Sequence, residues 1–144
     1  MSDLKLVALD EEDLKIISAH VQDAVLKVGD MTYDARRQHF VMSMNRFAWE
    51  VKPRWFKRRH ERRRSLIHFA RVASVRSTGI DLGRTDEVLS LLAIRFRPTE
   101  APAGIVELDF SGGSTVRLDV ECIEGRLTDL GAAWDTGARP VHQV

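Results

Sequence analysis

Cysteine, tyrosine, proline and long apolar runs are all scarce in this chain: 144 residues hold one Cys, one Tyr and four Pro. The single thiol, Cys122, excludes an intramolecular disulfide. Its place in an alternating apolar run reads as a buried, inert side chain in a reducing compartment. The longest uncharged apolar stretch, "VLSLLAI" at 88–94, is far short of the roughly 20 residues that span a bilayer. The opening "MSDLKLVALDEED" carries early acids where a secretory signal would carry basic and then apolar residues. The expectation is a cytoplasmic protein with no membrane span.

Catalytic and metal signatures are missing as well. The five histidines, His20, His39, His60, His68 and His142, have no metal spacing, and there is no HExxH, paired cysteine motif or GxSxG elbow. "SGGS" at 111–114 lacks the pattern and the lysine of a phosphate loop. Asp10, Glu11, Glu12 and Asp13 crowd a helix start, where the cap and the dipole already favour acids. No cofactor and no metal are expected, and no catalytic residue is assigned.

What is present is an ordinary globular composition, 44% hydrophobic and 30% charged, in one domain over 1–144. The net charge of +1 hides a segregation. "KPRWFKRRHERRR" at 52–64 sets Lys52, Arg54, Lys57, Arg58, Arg59, Arg62, Arg63 and Arg64 against Glu61, a local balance of +7 that leaves −6 on the remainder. Pro53 cannot donate to a sheet ladder, so the segment reads as a loop or hairpin tip between strands. Concentrated positive charge suits an anion. Arginines can grip phosphates bidentately, and Trp55 and Phe56 could stack bases. The plain alternative is a solvated loop that discourages edge pairing, with the two aromatics anchored on the core, and a third reading is contact with an acidic protein or a membrane surface.

Hydrophobic spacing supplies the fold. Leu14, Ile17, Val21, Ala24, Val25 and Val28 recur at helical spacing after an Asp10 cap, with Leu9 and Leu14 placed as a staple and Gly29 as a stop. "LKLVAL" before them suits a strand. From residue 40 the period falls to two, with Phe40, Met42 and Met44 followed by Phe47 and Trp49, so a bulge is expected near Asn45 and Arg46. "LIHFARVASV" and "EVLSLLAIRFR" read as strands, the second with Val88, Leu92, Ile94 and Phe96 on one face. A hairpin follows, with Leu108 opposite Leu118, Asp109 opposite Arg117 and a loop of Gly112, Gly113 and Ser114. Ile123, Leu127 and Leu130 before Gly131 suggest a short closing helix. The expected class is α+β: an antiparallel sheet or roll, one arrangement being like the pleckstrin-homology architecture, with a long N-terminal helix and a short C-terminal one.

Taken together, "LKLVALDEEDLKIISAHVQDAVLKVGDMTY", "NRFAWE" and "LDVECIEGRLTDLG" resemble a family of small bacterial proteins catalogued as domain of unknown function 2948. The resemblance implies no substrate, cofactor or catalytic residue. Three functional readings therefore stand. The first is a non-enzymatic accessory module that binds a partner protein or a second copy of itself. The second is a nucleic-acid-binding module using Lys52, Arg54, Trp55, Lys57, Arg58, Arg59, Arg62, Arg63 and Arg64; the third is an enzyme of unassigned reaction.

Overall fold

The computed structural model describes residues 4–48 and 62–132. The protein is mainly β, which corrects the α+β expectation. Among the described residues there are ten strands and one α-helix: β1 (Lys5–Ala8), α1 (Glu11–His20), β2 (Val25–Lys27), β3 (Met31–Asp34), β4 (His39–Phe47), β5 (Arg62–Phe69), β6 (Val72–Thr78), β7 (Val88–Pro98), β8 (Gly104–Phe110), β9 (Thr115–Val120) and β10 (Gly125–Ala132). All pairings are antiparallel, in the order β1-β10-β5-β4-β2-β7-β8-β9-β6, with β3 added to β4.

Two devices fold this path around one core. β7 pairs with β2 at its start and with β8 over the rest, and an extra residue at Leu92 breaks the register between Leu91 and Ala93. The bulge turns Leu92 outward, so Leu89, Leu91 and Ile94 are buried while Val88 and Leu92 stay exposed. Sequence alone placed Val88 and Leu92 with Ile94, which the bulge forbids. The second device is the corner between β5 and β6, where Arg71 takes φ +62°. The hydrophobic cluster joins both halves, from Phe40, Met42, Ile67 and Phe69 to Leu108, Phe110, Leu118 and Val120.

The helix begins as expected and ends early. Asp10 Oδ1 accepts from the Asp13 N–H at 2.8 Å, and Asp13 Oδ2 reaches back to accept from the Leu9 N–H at 3.0 Å, so the two side chains satisfy one backbone donor in the first turn and one just before the cap. Leu9 is 66% exposed and forms no staple. Leu14 and Ile17 face the core, and the Ser18 hydroxyl accepts the Ile94 N–H beside the β7 bulge at 2.9 Å. After His20 the chain turns through Asp23, φ +65°, and its backbone bonds to Leu91. Val21, Ala24, Leu26 and Val28 are buried, but the last three alternate as a strand does. Spacings of three and four can satisfy a helix, yet the open edge between β4 and β7 takes this β-branched stretch as β2. We expect Asp10→Ala to cost about 1 kcal/mol in a urea titration, the usual worth of such a cap.

The C-terminal helix is absent for a similar reason. Positions 123, 125, 127 and 129 all face inward in an extended chain, with Gly125 leaving room for Phe69, whose ring carbon would lie 2.8 Å from an added Cβ. Leu130 sits at a bulge between Asp129 and Gly131 and is exposed. Cys122, expected buried, is half-buried. The three-residue hairpin loop is real but shifted by one position: the Phe110 N–H bonds the Ser114 carbonyl at 2.9 Å, leaving Ser111, Gly112 and Gly113 in the loop, with both glycines at positive φ. Leu108 thus faces Val116, and Arg117 faces Glu107 rather than Asp109. The two registers differ by two residues, so the apolar face is the same in both.

Candidate functional site

The segment singled out by its charge divides at the start of β5. Lys52, Arg54, Trp55, Lys57, Arg58 and Arg59 lie outside the described residues, as does Trp134. Arg62, Arg63 and Arg64 are not loop residues. They open β5 and alternate across the sheet, so Arg63 points inward at 4% exposure while Arg62 and Arg64 point outward. An arginine-dense projection wholly apart from the interior is therefore ruled out at this end.

Arg63 stands opposite Arg46 of β4, and Arg46 is fully buried. This overturns the expected bulge at Asn45 and Arg46. The pairing of β4 with β5 runs without a break, and Phe40, Met42, Met44, Arg46 and Ala48 all face inward. The inward position that looked like a phase slip is filled by a guanidinium. Asp129 of β10 makes this tolerable: Arg46 Nε and Nη2 donate to its two carboxylate oxygens at 3.0 and 2.9 Å, the Ser65 hydroxyl donates at 2.6 Å, and the Leu4 N–H at 2.9 Å. Burial pushes the Asp129 carboxyl up. The hydrogen bonds from Arg46, Ser65 and Leu4, with the Arg46 charge, outweigh it and hold the group below its ordinary range. This cluster ties β1, β4, β5 and β10 together, and its place in the interior makes it a structural knot.

The outer face of those same four strands has a different character. Register places Val7, Arg126, His68 and Val41 in one cross-strand row and Lys5, Thr128, Leu66 and Ser43 in the next; Arg64 lies opposite Asn45, and Arg62 opposite Phe47. The Arg62 guanidinium lies 4.7 Å from the Phe47 ring centroid, and Arg64 donates to Ser43 Oγ at 3.2 Å and Asn45 Oδ1 at 3.4 Å. His39 and His68 meet edge to face, their centroids 4.6 Å apart. Burial, then the charges of His39 and Arg126, lower the His68 pKa against a smaller opposing pull from Glu124. Among the described residues of β1, β10, β5 and β4 the one acid is Asp129, and it points inward. Asp34 at the end of β3 marks the margin of the face, and its carboxylate accepts from the Arg36 and Arg37 amides.

The opposite half of the molecule is charge-balanced. Arg95 pairs with Glu107 and Asp109, both at 2.7 Å, Arg117 with Glu107 at 3.2 Å and Arg76 with Asp119 at 3.7 Å. A shallow open depression of about 260 Å³ there is lined by Arg95, Phe96, Arg97 and Glu107, and its arginine and glutamate already satisfy each other. Among the described residues no group of three or more His, Cys, Asp or Glu side chains is placed to hold a metal, and no helix is long and apolar enough to cross a membrane.

Lys5, His39, His68, Phe47 and Arg126 were not singled out by motif reading, because the sheet assembles them from strands far apart in the chain. One signal pointed to His39, Phe47 and His68, since between Asp34 and Asp81 the only acids are Glu50 and Glu61, while Lys5 and Arg126 lie outside that stretch. Among the described residues the architecture is mainly β with one α-helix, a buried arginine–aspartate knot and a basic sheet face. Residues 4–142 match the family model described as Protein of unknown function (DUF2948), and the chain belongs to that family. No curated protein and no solved structure matches it.

Proposed function

We propose that the chain is a non-enzymatic accessory module of the cytoplasm that engages an anionic macromolecule through the outer face of β1, β10, β5 and β4. One observation carries the reading: Lys5, Arg62, Arg64 and Arg126 share a face on which the described residues of these strands place no carboxylate, while Arg76, Arg95 and Arg117 of the other half are each paired with an acid. Glu124, just before β10, acts on His68 but is ion-paired with Arg71 at 3.4 Å, and cations that outnumber acids on one face focus potential outward. Paired charge does not.

Retention on heparin–agarose tests this, with elution salt as the readout. The double variant Lys5→Ser, Arg126→Ser should elute at clearly lower salt than the parent. Arg76→Ser, Arg97→Ser, which removes the same net charge from the other half, should elute close to the parent. Equal shifts for the two doubles would reduce the effect to net charge and refute a binding face. Assembly with a second copy through the edge strands is the competing outcome, visible as a dimer in size-exclusion chromatography that both doubles preserve along with the elution salt.

A further inference from the structure

We infer that the anion is a single-stranded nucleic acid lying across the four-strand face, an inference that rests on the reading above. The face interleaves cations with flat or apolar groups. Arg126 sits between Val7 and His68, Leu66 lies in the row of Lys5, and Phe47 carries Arg62 on its ring. A single strand offers both complements, phosphates for the cations and exposed base faces for Phe47, the imidazoles and Leu66.

Other polyanions use only part of this surface. A duplex hides its base faces, and four strands about 4.8 Å apart span roughly 14 Å before side chains are added, wider than the major groove of about 12 Å. An anionic lipid surface would reward a cluster of protruding apolar groups, yet Leu66, Val41 and Phe47 are half-buried within the face and the exposed Val7 lies at its β1 edge, apart from them. An acidic peptide satisfies the cations and leaves the stacking groups idle.

Fluorescence anisotropy decides, using labelled strands of about 12 nucleotides, a length near the upper part of single-module site sizes. The arms are oligo-U, oligo-dT, a mixed-sequence duplex of the same length, phosphatidylserine vesicles and polyglutamate. Both single strands should bind more tightly than the duplex, vesicles and polyglutamate. Affinity should fall with salt, and Lys5→Ser, Arg126→Ser should lower the log–log slope by about 1.4, near 0.7 for each phosphate left without its cation. Phe47→Leu should weaken single-strand binding at least about fivefold, the lower bound for removing one base stack. His68→Ala provides a second stacking variant if Phe47→Leu loses its fold by circular dichroism, and an unchanged affinity in a folded variant overturns the stacking role. Duplex, vesicle or polyglutamate binding as tight as the single strands would overturn the inference. Loss of the heparin difference as well would remove the binding face itself, whereas heparin retention that still depends on Lys5 and Arg126 without single-strand binding would remove only the nucleic acid.

Discussion

Asp129→Asn is expected to lower folding stability by about 3–5 kcal/mol, the cost of stripping the counter-charge from a buried ion pair. The magnitude follows from what remains. Arg46 is fully buried and Asp129 holds it through two hydrogen bonds, so removing the Asp129 charge strips the carboxylate from an interior guanidinium group. The amide oxygen can still accept, but the amide nitrogen puts a donor where a carboxylate oxygen accepted, and the group supplies no charge. Urea denaturation at neutral pH measures the loss. Arg46→Met combined with Asp129→Leu should recover most of it, because a buried pair exchanged for apolar groups of similar volume is close to neutral. A double variant as unstable as Asp129→Asn would mean that the knot's hydrogen bonds, rather than its charge balance, hold the strands.

The same carboxylate sets an acid limit. Its folded pKa lies below the ordinary value of 3.8, so its contribution is complete above that value and drains away as pH falls through the lowered folded one. In Asp129→Asn the part of the acid transition due to this group should vanish. The parent should lose stability more steeply than the variant below pH ~4, where a free Asp takes up its proton.

Phe69→Ala should cost about 3–5 kcal/mol, the range for emptying a buried aromatic site. Phe69 is fully buried at the end of β5, opposite Phe40 on one side and Gly125 on the other. Its ring already covers Gly125, and no side chain at 125 can move in to fill the space. Collapse is limited further by the corner at Ala70 and Arg71, where the Ala70 N–H bonds the Glu124 carbonyl and the Val72 N–H bonds the Gln38 carbonyl, both at 2.9 Å. A cost below about 1 kcal/mol in urea denaturation would show that the corner relaxes and that the two halves are less tightly joined than the structure indicates.

The sequence was most legible where one local rule acted without competition. The Asp10 cap, the strand before it, the length of the hairpin loop and the apolar face of β8 and β9 followed from side-chain chemistry within a few residues. It was least legible where one spacing satisfies two periods. Ala24 and Val28, or Ile123 and Leu127, four apart, are buried on a helix and on a strand alike, and the neighbouring strands settled the choice. Arg46 misled for another reason: an inward arginine looks like a register error until Asp129, 83 positions away, is brought beside it. Arg63 was hidden in a charge run for the same cause, since alternation in β5 sends it inward and its neighbours outward. The basic face needed the strand order, because β1 and β10 come from opposite ends of the chain and meet only through pairing.

The most direct measurement is an amide NMR titration with a single-stranded oligonucleotide at low salt. Progressive shifts should gather on Lys5, Val7, Arg64, Leu66, His68 and Arg126, while Arg76, Glu107 and Arg117 on the balanced half stay still. Shifts centred on that second group, or none on the first at saturating strand, would contradict the account.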